Sequence, residues 1–306
     1  MRHLIGVDGG ATKSSALLAD FNGKIIAERK GRALNYHAVG QKQAEENLRK
    51  LLSPFFKKYK GIKTAVIGFA GLDTAYDLRI YKKIVKRVFP AKINFFLFND
   101  ARIALEAVSA DRNLPRVLII SGTGSSVYGE FKNKQAKAIG WDFLAGDEGS
   151  AYWMGMEAIK RTVQFWDGRG KKTILGEMVL RKTRSQNMSQ FLSKLYRDWH
   201  EKHRDFKKQI ASFALEVKKA FSKGDPVAKE IVREGALQLA LGVEAVVKRL
   251  KVERETVCVG FVGSNFKISG LLTSLCLKIK KKHSRVNFVY KVDPVRGAIN
   301  LALKIR

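Results

Sequence analysis

Cysteine and long apolar runs are both scarce in this chain of 306 residues. The two cysteines, Cys258 and Cys276, belong to no CxxC pair and no Cys/His cluster, which argues against a zinc or iron–sulfur site. The hydrophobic runs are of strand length and are broken by charge, so we expect no transmembrane helix and no membrane partner. The amino-terminal stretch MRHLIGVDGG lacks the long apolar segment of a signal peptide, which predicts a cytoplasmic protein.

Acidic residues are scarce as well. The chain has 58 Lys and Arg against 28 Asp and Glu, a formal net charge of +30. Such an excess is typical of proteins that bind a polyanion. However, the basic residues are spread along the whole chain, with local clusters at 57–63 and 278–285, and no nucleic-acid-binding motif accompanies them. We therefore favour a solvated lysine-rich surface and do not expect a nucleic-acid partner.

Short apolar strands alternate with helical segments through most of the sequence. A strand, a turn rich in Gly, Thr and Ser, a second strand, a turn and a third strand occur in this order twice, starting near His3 and again near Arg116. This weak repeat, followed in each half by further strands and helices, predicts an α/β protein of two domains. We place the domains at 1–115 and 116–293, the second with a helical insertion, and expect the closing helix 294–306 to return to the first.

Three local signals refine this prediction. Residues 41–59 have helical spacing, although Pro54 is expected to end or kink that helix. Asp73 or Thr74 is the expected N-cap of the helix that follows. Asp225, directly before a proline, is the expected N-cap of a long helix in the second half.

Both repeats place a Gly-rich turn at the end of a strand, in IGVDGGATKSS (5–15) and IISGTGSS (119–126). Small residues expose backbone N–H groups and the hydroxyls add donors, a combination that suits a phosphate. A plain β-hairpin is the alternative for either turn alone. Neither turn has the GxxxxGK[ST] pattern of a P-loop.

Three carboxylates stand near these turns or at strand ends: Asp8, Asp100 and Asp147. In α/β proteins ligands bind at the carboxyl ends of strands, where a carboxylate can organise Mg²⁺ or accept a proton from a hydroxyl. Each has a structural alternative. Asp8 could be a turn residue, and Asp100 and Asp147 could each be the N-cap of a following helix.

These stretches resemble one family. The segments GVDGGATKSS, LNYHAVG, FNDARIAL, ISGTGSS, GWDFLAGDEGSAYWMG and VGSNFK are similar, in the same order, to the N-acetylglucosamine kinase group of the BadF/BadG/BcrA/BcrD-type ATPases. The resemblance covers nearly the whole chain and extends to the archaeal broad-specificity hexokinases of this group. It implies two RNase H-like (actin-like ATPase) domains with an ATP/sugar cleft between them. We also expect a homodimer.

The resemblance implies an ATP-dependent kinase that phosphorylates the 6-hydroxyl of a hexose or amino sugar, such as N-acetylglucosamine, glucosamine or glucose. Asp100 would be the general base, and Asp8 would organise Mg²⁺ through water. The sugar-binding residues implied are Asn35, Asp100, Gly140, Trp141 and Asp147. Loops 9–13 and 122–125 would hold the ATP phosphates, and the ATP-binding residues implied are Gly10, Thr12, Lys13, Thr123, Gly124, Ser125, Gly263, Ser264 and Asn265.

Several positions depart from the family pattern. Ala11 stands where the family often has a third glycine. Because alanine has a β-carbon, the backbone must adopt a negative φ at this position. FVGSNF lacks the double glycine often found on the adenosine side, and no extra glycine precedes Trp141. Trp141 itself could line a sugar pocket or belong to the core.

Two other functions remain open from the sequence. One is an ATPase that activates a partner enzyme. That activity requires a cysteine-bound iron–sulfur cluster, for which Cys258 and Cys276 are poorly placed. The other is a non-catalytic sensor of a sugar or a nucleotide.

Overall fold

The computed structural model describes residues 2–109, 111, 113–201 and 203–305. The chain divides into two compact units. Unit 1 comprises Met1–Arg112 with Val289–Arg306, and unit 2 comprises Asn113–Phe288.

Unit 1 is built on a five-stranded mixed sheet in the order β3-β2-β1-β4-β5. The strands β1, β2 and β3 form an antiparallel meander, whereas β4 and β5 extend the sheet in parallel to β1. Its strands are β1 (His3–Gly9), β2 (Lys13–Asp20), β3 (Ile25–Arg32), β4 (Ile62–Phe69) and β5 (Asn94–Asn99). Its helices are α1 (Tyr36–Val39), α2 (Gln41–Lys58), α3 (Ala75–Val88), α4 (Asp100–Val108) and, from the end of the chain, α12 (Pro294–Ile305).

The unit 2 sheet has the order β10-β9-β6-β7-β8. Again three antiparallel strands are followed by a strand parallel to the first, here β9 beside β6. Its strands are β6 (Arg116–Ser121), β7 (Ser125–Phe131), β8 (Lys134–Ala138), β9 (Val257–Val262) and β10 (Val286–Val289). Its helices are α5 (Ala151–Trp166), α6 (Leu175–Thr183), α7 (Met188–Glu201), α8 (His203–Ser212), α9 (Ala214–Ser222), α10 (Pro226–Leu250) and α11 (Ser269–Lys282).

The two sheets therefore share one strand order, read from the third strand of the meander to the strand at the opposite edge. This confirms the α/β class that the duplicated pattern predicted. Within the described residues, no helix combines the length and the apolar character needed to cross a membrane.

Helices cover both faces of the unit 1 sheet because alternate strand residues point to opposite sides. Ile5 and Val7 of β1 pack in the cluster that contains Leu48 of α2 and Tyr81 of α3. Leu4, directly before Ile5, packs on the other face against residues of α4 and α12. The carboxylate of Glu106, fully buried on α4, is neutralised by Arg102 at 2.7 Å and by Lys304 of α12 at 2.8 Å.

The helix predicted over 41–59 continues through Pro54 as α2, which ends at Lys58. Pro54 therefore does not end the helix, and a kink at this position stays a prediction. Leu51, Leu52 and Phe55, on both sides of the proline, are buried in the core. Their burial outweighs the loss of one backbone hydrogen bond.

Candidate functional site

The carboxyl edge of the unit 1 sheet gathers three carboxylates from different elements. Asp8 lies near the end of β1, Asp100 begins α4 directly after β5, and Asp293 directly precedes α12. Burial, followed by the negative charges of Asp100 and Asp293, raises the pKa of Asp8 from its ordinary value of 3.8 to about 7, against the opposing charge of Lys13. These groups therefore form one electrostatic unit with an excess of negative charge.

Asp100 is not the N-cap of α4. That position belongs to Asn99, whose Oδ1 accepts a hydrogen bond from the Ala101 N–H at 2.8 Å. The Asn99 amide also donates to Asp73 Oδ1 at 3.1 Å, which ties the end of β5 to the loop after β4. The capping interpretation of Asp100 is wrong, because its neighbour supplies the cap and Asp100 begins the helix as a partly buried carboxylate.

The first loop, residues 9–13, is a tight turn between β1 and β2. The Gly10 N–H donates to Lys13 O at 3.1 Å. Ala11 does not adopt a left-handed φ, so its β-carbon is accommodated as the sequence required. Thr12 and Lys13 are exposed. The predicted ATP-binding residues of this loop thus lie at the same edge of the sheet as Asp8.

Asn35 lies beside this loop, because the Leu34 N–H donates to Gly10 O at 3.1 Å. Asn35 is the N-cap of α1, and its Oδ1 accepts from the His37 N–H at 2.9 Å. Gly71, in the loop after β4, closes the space on the other side of the amide. A β-carbon there would lie 3.0 Å from Asn35 Nδ2. Unit 1 therefore brings Asp8, Asp100, the first loop and Asn35 to one edge.

The second loop, residues 122–125, connects β6 to β7 and is fastened to the start of α5. Gly122 O accepts from the Ala151 N–H at 2.8 Å, and Thr123 O accepts from the Tyr152 N–H at 3.1 Å. These bonds satisfy N–H groups in the first turn of α5. Thr123 is left exposed at the tip of the loop.

Ser125 has a different position. Its hydroxyl donates to Glu148 O at 2.7 Å, and its N–H donates to Asp147 Oδ1 at 3.3 Å. The side chain therefore stabilises the base of the second loop from within the protein. Its contact with an ATP phosphate stays a prediction, and such a contact requires exchange of the bond to Glu148.

Asp147 is buried next to the second loop. A β-carbon on Gly124 would lie 2.9 Å from Asp147 Oδ2, so the carboxylate lies directly against the loop backbone. The same oxygen accepts from Lys207 Nζ of α8 at 2.8 Å. Ser150, not Asp147, caps α5 by accepting from the Trp153 N–H. The capping interpretation of Asp147 is therefore wrong.

Gly140 and Trp141 follow β8. Gly140 has a φ of +79° and donates its N–H to Gly146 O at 2.7 Å. The Trp141 side chain is 64% exposed, with Lys137 Nζ 5.1 Å from its ring centroid. This excludes the core alternative for Trp141.

The residues predicted for the adenosine side lie beside the second loop. Asn265 is buried, and its amide donates to Ser121 Oγ at 3.1 Å and to Gly122 O at 2.9 Å. Ser264 is exposed at the start of a 3-10 turn, Ser264–Lys267. Unit 2 therefore brings together the second loop, Asp147 and residues 263–265.

Gly263 is the position where this arrangement is least tolerant of a side chain. Its φ is +126°, and a β-carbon would lie 1.9 Å from Ser121 O. We expect Gly263→Ala to lower the free energy of unfolding of unit 2 by roughly 3 kcal/mol or more, measured by urea denaturation. Gly122→Ala is the matched control, because a β-carbon there meets no atom within 4 Å. Equal losses in the two variants would contradict this explanation.

Three side chains near these groups were not predicted as site residues: Asp77, Lys207 and Asp293. The spacing of Thr74 and Asp77 in the sequence fits a capping box, but nothing in the sequence indicated that Asp77 lies near Asn35. No sequence signal marked Lys207 as the partner of Asp147. Asp293 directly precedes Pro294 at the start of α12, which marks a helix start in the sequence but not a position beside Asp8.

Within the described residues, no group of three His, Cys, Asp or Glu side chains could hold a metal ion directly. Mg²⁺, however, keeps several water ligands and needs only one or two carboxylates when substrate phosphates complete its shell. The field of Asp100 and Asp293, which raises the pKa of Asp8, is the field that a divalent cation neutralises. The residues of this edge therefore fit a magnesium ion held through water.

Residues 5–302 match the model of the BadF/BadG/BcrA/BcrD ATPase family. An N-acetylmuramic acid/N-acetylglucosamine kinase of Clostridium acetobutylicum is 32% identical over 269 residues, which are 86% of this chain and 85% of the relative. An N-acetyl-D-glucosamine kinase of Dictyostelium discoideum is 27% identical, with 98% of this chain and 97% of the relative covered.

Solved structures show the same fold. A Chromobacterium violaceum protein provisionally described as an N-acetylglucosamine kinase superposes with a TM-score of 0.76 at 21% identity, covering 99% of each chain. A ROK family glucokinase from Streptomyces griseus, solved with glucose and AMPPNP, superposes with a TM-score of 0.59 at 15% identity, covering 98% of each chain. At these identities the likeness is one of fold, and it confirms the α/β fold class that the sequence predicted.

Proposed function

Because the chain belongs to the BadF/BadG/BcrA/BcrD ATPase family, we propose that it is an ATP-dependent kinase that phosphorylates the 6-hydroxyl of an amino sugar or hexose. The observation that carries this proposal is the 32% identity to an N-acetylmuramic acid/N-acetylglucosamine kinase over 86% of the chain. N-acetylglucosamine is the first substrate to test, followed by glucosamine and glucose.

The carboxyl edge of unit 1 supplies the groups for the sugar hydroxyl. We assign Asp100 as the general base, which removes the proton of the 6-hydroxyl as its oxygen bonds to the γ-phosphorus. The bond between that phosphorus and the bridging oxygen of ADP breaks in the same step. Asn35, at the same edge, supports the proposal because its amide can donate to a sugar hydroxyl.

Asp8 fits the role of organising Mg²⁺ through water. When bound, Mg²⁺ supplies positive charge to the phosphate oxygens on which negative charge gathers. Asp8 must be ionised for this role, and its pKa of about 7 makes its ionisation sensitive to the charge around it. We assign Lys13, which is exposed in the first loop, to an ATP phosphate.

In unit 2 we assign the ATP phosphates to Thr123 and Gly124, and the adenosine to the region of Gly263, Ser264 and Asn265. The Asn265 amide supports this assignment, because it holds Ser121 and Gly122 at the base of the second loop. Asn265 thus connects the proposed adenosine region to the second loop, whose base it holds.

Asp147, with Gly140 and Trp141, is assigned to the sugar.

Replacement of Lys207, the ion-pair partner of Asp147, tests this assignment. Lys207→Met leaves the buried carboxylate of Asp147 without its cation, and we expect the KM for N-acetylglucosamine to rise by about tenfold or more. Steady-state kinetics with Lys218→Met as the control, an exposed lysine of α9, check this. An unchanged KM in the Lys207 variant would contradict the assignment of Asp147 to the sugar.

The proposed function is tested by ADP release from Mg-ATP with N-acetylglucosamine, N-acetylmuramic acid, glucosamine, glucose and no sugar. We expect ADP release to depend on a sugar, and ³¹P and ¹³C NMR to place the phosphate on O6. ATP hydrolysis that no sugar accelerates would reject the kinase and favour an ATPase that acts on another protein. Binding of sugar or nucleotide without turnover would favour a sensor.

A further inference from the structure

Asp77 is a buried carboxylate of unit 1 that the proposed reaction does not use. It lies in the first turn of α3, where Thr74 is the N-cap. Its Oδ2 accepts from the Thr74 N–H at 2.8 Å and from the Thr74 hydroxyl at 2.6 Å. The Asp73 N–H lies 3.3 Å from the same oxygen. This oxygen completes the capping box of α3.

The other oxygen of Asp77 has nothing to do with capping. Oδ1 accepts from the Tyr36 hydroxyl at 2.5 Å and lies 2.9 Å from His37 Nε2. Tyr36 and His37 are the first residues of α1, and their rings stack with centroids 4.0 Å apart. One carboxylate therefore joins the start of α3 to the start of α1.

The charges of this group are consistent with a fixed arrangement. Burial opposes the ionisation of Asp77, but hydrogen bonds from Thr74, Tyr36 and His37 outweigh it and hold its pKa below the ordinary value. Burial and the hydrogen bond to Asp77 raise the pKa of Tyr36, so its hydroxyl remains a donor. Asp77 thus stays charged and Tyr36 stays protonated over the neutral pH range.

This turn determines where Asn35 points. Asn35 Oδ1 accepts from the His37 N–H at 2.9 Å, so the amide presents Nδ2 as its donor. The Tyr36 N–H is 3.3 Å from the Tyr81 hydroxyl, which itself donates to Ala70 O at 3.0 Å. Gly71, next in the chain, leaves no free space against Asn35 Nδ2. A rotation of the Tyr36–His37 turn therefore moves the Asn35 amide.

We propose that Asp77 is a positioning residue for sugar binding, which acts by fixing the Tyr36–His37 turn through Oδ1 and thereby the donor of Asn35. The proposal rests on the proposed function, because it takes Asn35 to be a sugar ligand. Asp77 itself contacts no reacting atom in this scheme.

The two oxygens of Asp77 allow its two roles to be separated. Tyr36→Phe removes one donor to Oδ1 and leaves the capping box of α3 intact. We expect the KM for N-acetylglucosamine to rise about 3- to 10-fold, with kcat and the KM for ATP changed less than about twofold. Thr74→Ala breaks the capping box at Oδ2, and we expect a lower Tm with a KM for the sugar within about twofold of the wild type. Tyr59→Phe is the matched control for loss of a hydroxyl elsewhere in unit 1.

Asp77→Asn disturbs both oxygens, so we expect both the lower Tm and the higher sugar KM. If Tyr36→Phe and Thr74→Ala change Tm and KM in parallel, Asp77 only stabilises the fold and the proposal is overturned. Asn35→Ala distinguishes this failure from failure of the proposed function. A raised sugar KM in Asn35→Ala beside an unchanged KM in Tyr36→Phe rejects the role of Asp77 alone, whereas an unchanged KM in Asn35→Ala rejects Asn35 as a sugar ligand.

Discussion

Replacement of Asp100 by Asn is expected to lower kcat at least about 100-fold, because a general base contributes roughly 10²- to 10⁴-fold to a proton-transfer step. The Asn side chain keeps the size and the hydrogen-bonding oxygen of Asp but cannot accept the hydroxyl proton. We expect the KM for N-acetylglucosamine to change far less than kcat, since binding and proton removal use different properties of the group. Initial rates of ADP release with saturating Mg-ATP measure both.

Asp293→Asn is the matched control for this experiment. Asp100 and Asp293 both raise the pKa of Asp8, so removal of either charge alters the electrostatics of the edge in the same direction. Only Asp100 is assigned to take the proton. We therefore expect Asp293→Asn to keep kcat within about tenfold of the wild type at saturating Mg²⁺. Similar losses in the two variants would mean that negative charge at this edge, and not a base at Asp100, supports the reaction.

The fold was largely predictable because its signals are local. The first strand of each meander is a short apolar run that a Gly-rich turn follows, so the duplicated order predicted two similar sheets. Of the two N-caps expected for α3, Asp73 or Thr74, the structure has Thr74, and Asp225 caps α10 as expected. Pro54 does not end α2, because tertiary packing of its neighbours, which no local pattern reports, keeps the helix continuous.

The candidate site was predictable only in part. The identities of Asp8, Asp100 and Asp147 came from strand ends and from family motifs, but their surroundings depend on residues distant in the chain. Lys207 reaches Asp147 from α8, and Asp293 acts on Asp8 from just before the last helix. The capping alternatives for Asp100 and Asp147 failed because Asn99 and Ser150, equally good caps, take those positions. A list of cap-forming residue types cannot choose between such neighbours.

Asp8→Asn is expected to stabilise the metal-free protein while it abolishes the proposed role in binding Mg²⁺. The folded-state pKa of Asp8 is raised from 3.8 to about 7, so the folded state favours the protonated carboxyl. Relative to high pH, the contribution of protonated Asp8 to folding stability is fully present below pH 4, and it is lost as the pH rises through 7. The gap between the two pKa values corresponds to roughly 4 kcal/mol once Asp8 is fully ionised. An Asn side chain does not ionise and avoids this cost.

We therefore expect the Tm of Asp8→Asn, measured by calorimetry in EDTA, to exceed that of the wild type at pH 8 and to approach it at pH 4.5. Added Mg²⁺ should raise the wild-type Tm at pH 8 by mass action and leave that of the variant unchanged. A Tm difference that is the same at both pH values would show that the substitution acts through packing and not through the charge of Asp8. A pH-dependent Tm difference without a response to Mg²⁺ would support the raised pKa of Asp8. It would also contradict the assignment of the ion to this residue. If both effects are found, the unfavourable ionisation of Asp8 in the folded protein is the property that makes it a cation site. The bound ion removes the repulsion from Asp100 and Asp293 that the folded protein otherwise retains.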